Sequence, residues 1–161
     1  MNISTIQELK QELKELPHKK LVELCLSLAK YKKDNKEYLS FELFNAGDRA
    51  GYIKQLKMEM DEQFEEIQKL NNLYFIKKAL RKVLRMLNKY CKYLDEKSDT
   101  AELFIYFCRK IKETKTPVHK SVMLQNLWKG LVKKVNTSID FCEGDLQADY
   151  QRELENVLEM V

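Results

Sequence analysis

Hydrophobic positions recur at three- and four-residue intervals along almost the whole chain, the period of an α-helix that turns one face to a core. Ile6, Leu9, Leu13 and Leu16 form the first such stripe, with Ser4 or Thr5 standing where an N-cap belongs and Pro17 where a second helix begins. Leu21, Leu24, Cys25 and Leu28 form a second stripe, which ends in the polar run Lys32 to Asn35. Asp34 or Asn35 is then expected to cap a third helix carrying Tyr38, Leu39, Phe41, Leu43 and Phe44. Those residues lie nearly all round the helix, which predicts burial on more than one side.

Asp48, between Gly47 and Gly51, marks the strongest turn signal and the N-cap of a fourth helix. Ile53, Leu56, Met60, Phe64 and Ile67 line the core face of that helix, and Glu59, Asp61, Glu62, Glu65 and Glu66 make the remainder acidic. Asn71 and Asn72 interrupt the pattern before a fifth helix that runs to about Leu94. Ser98 is the expected cap of a sixth, whose run Leu103 to Cys108 should be central. Such a short apolar run also suits a buried strand, but no second strand candidate exists to pair with it, so helix is favoured. Thr116 and Pro117 are expected to open a seventh helix with Val122, Leu124, Leu127, Trp128, Leu131 and Val135 inward. Asn136 to Gly144 is expected as a turn, and Leu146, Tyr150, Leu154, Val157 and Leu158 define a last helix.

The pattern thus predicts an all-α protein of about eight helices in antiparallel hairpins, the first with the second, the third with the fourth, and onward. An irregular helical bundle and a short α-solenoid-like array both fit, within a single domain spanning 1–161. Composition agrees, since 161 residues with 44% hydrophobic content can bury a sizeable core and only 4 Gly and 2 Pro interrupt helices. The start of the chain lacks a basic segment followed by an apolar run, so no signal peptide is expected. The apolar run Leu103 to Cys108 is far shorter than the roughly 20 residues of a membrane span. Cys25, Cys91, Cys108 and Cys142 are widely spaced, which suits reduced thiols in a cytoplasmic protein better than a disulfide framework. Cys25, Cys91 and Cys108 sit among apolar residues and are expected in the core.

Charge changes the picture at one place. The stretch from Ile67 to Leu94 contains no acid, and Lys77, Lys78, Arg81, Lys82, Arg85, Lys89 and Lys92 share one side of the fifth helix. At about 100° per residue they fall within a sector of about 140°, opposite Ile76, Leu80, Val83, Leu84, Leu87 and Cys91. A solvated helix usually mixes charge signs, because like charges at i,i+4 are mildly destabilising. A uniformly positive face therefore points to an anionic partner, or to neutralisation by the acidic fourth and last helices. A second acid-free stretch, Thr114 to Ile139, adds Lys115, Lys120, Lys129, Lys133 and Lys134, and extends the positive surface if the fifth and seventh helices are neighbours.

Catalytic signatures do not appear. His18 and His119 each lie within two residues of a proline at an expected helix start, a place where surface histidines are common. The cysteines show no C-x-x-C or Cys/His ligand spacing, Asp140, Glu143 and Asp145 match no calcium loop, and no glycine-rich phosphate loop exists. No catalytic residue, cofactor or metal is predicted. The net charge of +4 is too small to identify a nucleic-acid coat protein. The expected function is a non-catalytic binding or adaptor module for a protein partner; the alternative is nucleic-acid binding through the basic face around residues 74–94.

Leu9-Lys10, Leu13-Lys14, Leu16-Pro17, Leu21-Val22-Glu23-Leu24 and the string from Leu28 to Glu37 together resemble a family of small, helical, functionally uncharacterised bacterial proteins. The resemblance covers the first 44 residues and implies a bacterial, cytoplasmic protein, with no site to carry over.

Overall fold

The computed structural model describes residues 3–160. Its eight α-helices are α1 (Ile6–Glu15), α2 (His18–Tyr31), α3 (Lys33–Phe44), α4 (Arg49–Gln68), α5 (Leu73–Leu94), α6 (Lys97–Glu113), α7 (Val122–Ile139) and α8 (Gly144–Glu159). A 3-10 turn at Val118–Lys120 precedes α7, and the described residues contain no strand. The protein is all-α, and no described helix is long and apolar enough to cross a membrane. The chain divides into two compact units, Met1–Ala46 and Gly47–Val161.

In the N-terminal unit, Thr5 caps α1 as the sequence predicts. Its hydroxyl accepts from the Glu8 backbone N–H at 3.3 Å while the Glu8 carboxylate accepts from the Thr5 N–H at 2.7 Å, the reciprocal pair of a capping box. The main pairing is α2 with α3 rather than α1 with α2, and α1 buries no residue. Ile6, Leu9, Leu13, Leu16, Leu24 and Leu28 are all exposed. Contrary to expectation, α3 buries Phe41 alone and leaves Tyr38, Leu43 and Phe44 exposed. Apolar residues distributed all round a short helix cannot all face its neighbour α2. Asn35 is also corrected. Helix α3 already begins at Lys33, and the Asn35 amide donates to the Leu28 carbonyl at 2.7 Å, satisfying one of the orphan acceptors at the end of α2.

The C-terminal unit holds the core. Its helices touch as a two-layered bundle in which α4, α6 and α8 lie side by side, α5 packs on α4 and α6, and α7 packs on α6 and α8. The main contacts therefore run between consecutive and next-but-one helices. Helix α6 has neighbours on four sides and buries Thr100, Ala101, Leu103, Phe104, Ile105, Phe107, Cys108 and Ile111. Phe107 meets Phe64 of α4 edge to face with ring centroids 5.8 Å apart.

Local boundaries differ where backbone geometry overrides cap statistics. Helix α6 starts at Lys97, not after Ser98, because Asp95 closes α5 in the left-handed region at φ 50° and the extended Glu96 leads directly into the next helix. The Thr100 hydroxyl then donates to the Glu96 carbonyl at 2.9 Å. Pro117 begins the 3-10 turn instead of α7, so Val122 becomes the exposed first residue of that helix. Asn136 bonds back to the Val132 carbonyl at 3.0 Å, and α7 continues through it to Ile139. Leu146 and Leu158 of α8 are exposed despite their helical spacing.

All four cysteines are free, but Cys25 is exposed while Cys142 joins Cys91 and Cys108 among the buried residues. Burial pushes the Cys91 thiol up to about 11 and the Cys108 thiol up to about 12, further suppressing the reactive thiolate. Under native conditions a thiol reagent is expected to modify Cys25 rapidly and the other three only after denaturation. Mass spectrometry of partially labelled protein checks this, and early modification of Cys108 would contradict the central placement of α6.

Candidate functional site: a basic groove between two helices

Helix α5 spans 22 residues between Asn72, whose side chain accepts from the Tyr74 N–H at 2.8 Å, and Asp95. Its apolar stripe buries Ile76, Leu80, Val83, Leu87, Cys91 and Leu94, which turns the predicted basic side outward. Lys78, Arg81, Lys82, Arg85 and Lys92 are exposed, while Lys77 and Lys89 are half-buried. The Lys77 ammonium lies 3.1 Å from the Met123 sulfur of α7, and the Lys89 ammonium lies 4.9 Å from the centre of the Tyr90 ring.

The acidic helices do not neutralise this side. In α4, Asp61 is engaged by Lys110 at 2.9 Å and by the Tyr106 hydroxyl at 2.8 Å, both from α6, and Glu66 pairs with Lys69. Glu153 of α8 pairs with Arg109, again from α6. Lys57 with Glu102 at 2.6 Å and Arg49 with Asp99 complete the bridges from α4 to α6. Among the described residues, no carboxylate lies within 4.0 Å of Lys77, Lys78, Arg81, Lys82, Arg85 or Lys92. Burial and two acidic neighbours, Asp61 and Glu113, push the Tyr106 hydroxyl up to about 12.

Helices α5 and α7 flank a common groove. One part is lined by Arg81, Leu84, Asn88, Met123, Asn126, Leu127, Gly130, Leu131 and Lys134, with a volume of about 560 Å³. The adjoining part shares Asn88, Gly130 and Lys134, continues past Lys92 and Lys133 to Lys97 at the start of α6, and has a volume of about 690 Å³. The second acid-free stretch therefore does extend the positive surface, through Lys133 and Lys134. Leu84, Leu127, Leu131 and Met123 give the first part an apolar lining between these cations.

Lys134 and Gly130 were not separable from the sequence as parts of a site. Half-buried Lys134 donates to the Asn88 side-chain oxygen, and its ammonium stands 4.4 Å from the centre of the buried Phe104 ring. Partial burial, together with the neighbouring Lys97 and Lys92, pulls Lys134 below the ordinary lysine range. Gly130 interrupts α7 in its middle, and a Cβ built there meets nothing within 4 Å. No helix packing requires that glycine; its missing side chain instead lowers the groove wall.

The other sequence candidates do not converge. His18 and His119 are exposed, and among the described residues no three His, Cys, Asp or Glu side chains are grouped to hold a metal. Comparison with protein-family models, curated proteins and solved structures finds no match.

Because the Gly130 position is open, Gly130→Ala is expected to stabilise the C-terminal unit by up to about 1 kcal/mol, the helix-propensity difference between the two residues. Denaturant titration checks this. A loss of stability would mean that the groove wall is tighter than the backbone indicates.

Proposed function

We propose that the chain is a cytoplasmic, non-catalytic binding module whose α5–α7 groove docks an acidic, amphipathic helix of a protein partner. The observation that carries this reading is the combination of an apolar lining, from Leu84, Met123, Leu127 and Leu131, with basic walls that have no internal carboxylate. An amphipathic helix laid in such a groove buries its apolar side on the leucines and sets its acids against Arg81, Arg85 and Lys134. Electrostatic complementarity of this kind speeds encounter and orients the complex.

A second reading has its own support. Lys78, Arg81, Lys82 and Arg85 form an exposed cationic row suited to nucleic-acid phosphates. The apolar groove beside that row has no use in phosphate contact, which ranks the protein partner first.

A synthetic acidic amphipathic helical peptide is expected to bind with salt-sensitive affinity, and reversing Arg81 and Arg85 to Glu is expected to weaken it at least about tenfold, or about 1.4 kcal/mol. Both residues lie outside the buried stripe, so thermal melts of the double variant should stay near wild type. Gel-shift titration with duplex DNA and RNA at two salt concentrations tests the alternative. A dissociation constant below about 1 μM near physiological salt, tighter than ordinary non-specific binding, would reverse the ranking.

A further inference from the structure

The groove ends where α5 closes, α6 begins and the last turns of α7 pass, in the 690 Å³ cavity lined by Lys92, Lys97, Lys133 and Lys134. Asp95 is the one carboxylate among its lining residues. Gathering four lysines around one cavity is electrostatically costly unless something offsets their repulsion. Asp95 is the one lining residue that opposes it, and among the described residues none of the four lysines has a carboxylate within 4.0 Å.

The lining also indicates what would offset it. Lysine offers a compact point charge of the kind that binds phosphate oxygens, and all four cations here are lysines. No aromatic side chain lines the cavity, so it provides no surface on which a nucleobase would stack. Asn88 spends its side-chain oxygen on Lys134, which leaves its amide NH₂ as a donor. The Thr137 and Ser138 hydroxyls donate instead to the Lys133 and Lys134 carbonyls, at 2.9 and 3.0 Å. Gly130 keeps the approach between α5 and α7 open.

We propose that this cavity binds a compact polyphosphate chain, of the diphosphate or triphosphate class without a base, through the ammonium groups of Lys97, Lys133 and Lys134 and the amide of Asn88. Lys92 at the mouth adds attraction, and Asp95 limits the affinity. Because the cavity shares Asn88, Gly130 and Lys134 with the groove, a bound polyphosphate competes with a docked helix. The inference does not rest on that docking, since the cluster of cations exists without it.

Isothermal titration of the full chain with sodium tripolyphosphate, diphosphate and sulfate tests the proposal. One tripolyphosphate per chain is expected, bound at least about tenfold more tightly than sulfate and weakening as salt rises. Lys97→Gln, at an exposed site in the first turn of α6, is expected to weaken binding several-fold, whereas Lys54→Gln, at an exposed site of α4 outside the cavity, leaves it unchanged. Asp95→Gly supplies a gain that a folding defect cannot imitate. It removes the one carboxylate at a position whose φ of 50° favours glycine, and tighter tripolyphosphate binding is the expected result. Equal affinity for sulfate and tripolyphosphate, or wild-type affinity in both Lys97→Gln and Asp95→Gly, would overturn the assignment.

Discussion

Helix α6 takes up the acids of its neighbours, and the character of the C-terminal unit follows from that. It packs against four other helices, and four of its charged side chains, Asp99, Glu102, Arg109 and Lys110, form bridges to them. These reach outward to Arg49 and Lys57 of α4, to Asp61 of α4 and to Glu153 of α8. Such partly exposed bridges contribute modestly to stability, typically below about 1 kcal/mol each. Their larger consequence is allocation. Asp61 and Glu153 are held at α6, and Lys78, Arg81, Lys82, Arg85 and Lys92 of α5 are left exposed.

The exposed cations then meet a second constraint, the packing of both α5 and α7 on the same central helix. Two helices that share a neighbour without packing closely on each other leave a trough between them, lined in part by Gly130. Lys134 shows the electrostatic result. Its amphipathic stem reaches over Phe104 while its ammonium bonds Asn88, and burial with Lys97 and Lys92 nearby disfavours its charged form. An anion in the trough would reverse that penalty. Protein partner and polyphosphate are therefore two answers to one electrostatic demand.

In the N-terminal unit, periodicity and burial part company. Ile6, Leu9, Leu13 and Leu16 follow a three-four-three spacing and α1 carries a complete capping box, yet all four side chains remain exposed. A stripe states which side of a helix would gain from burial. It carries no information about whether a surface exists to cover it. Cys25 follows the same logic, since it lies in the second stripe and is exposed with it. Cys142, in the polar turn before α8, is buried, with its thiol donating to the Ser138 carbonyl in the last turn of α7 at 3.5 Å.

What the sequence alone determined about this protein depends on residues three and four apart: the all-α class, the core faces of α4, α5 and α6, the cap at Asp48, and the positive side of α5 from Lys77 to Lys92. Those features arise within one or two helical turns, so local spacing is sufficient to specify them. Only the tertiary structure decided which acids pair with which bases, that α5 and α7 border one groove, and that Lys97, Lys133 and Lys134 meet around a single cavity. These depend on contacts between residues some 40 positions apart along the chain, such as Asn88 with Lys134, for which no short-range pattern carries a signal. The groove was half legible for that reason: one wall is a periodic helix face, while the other exists only through the packing of α7 on α6.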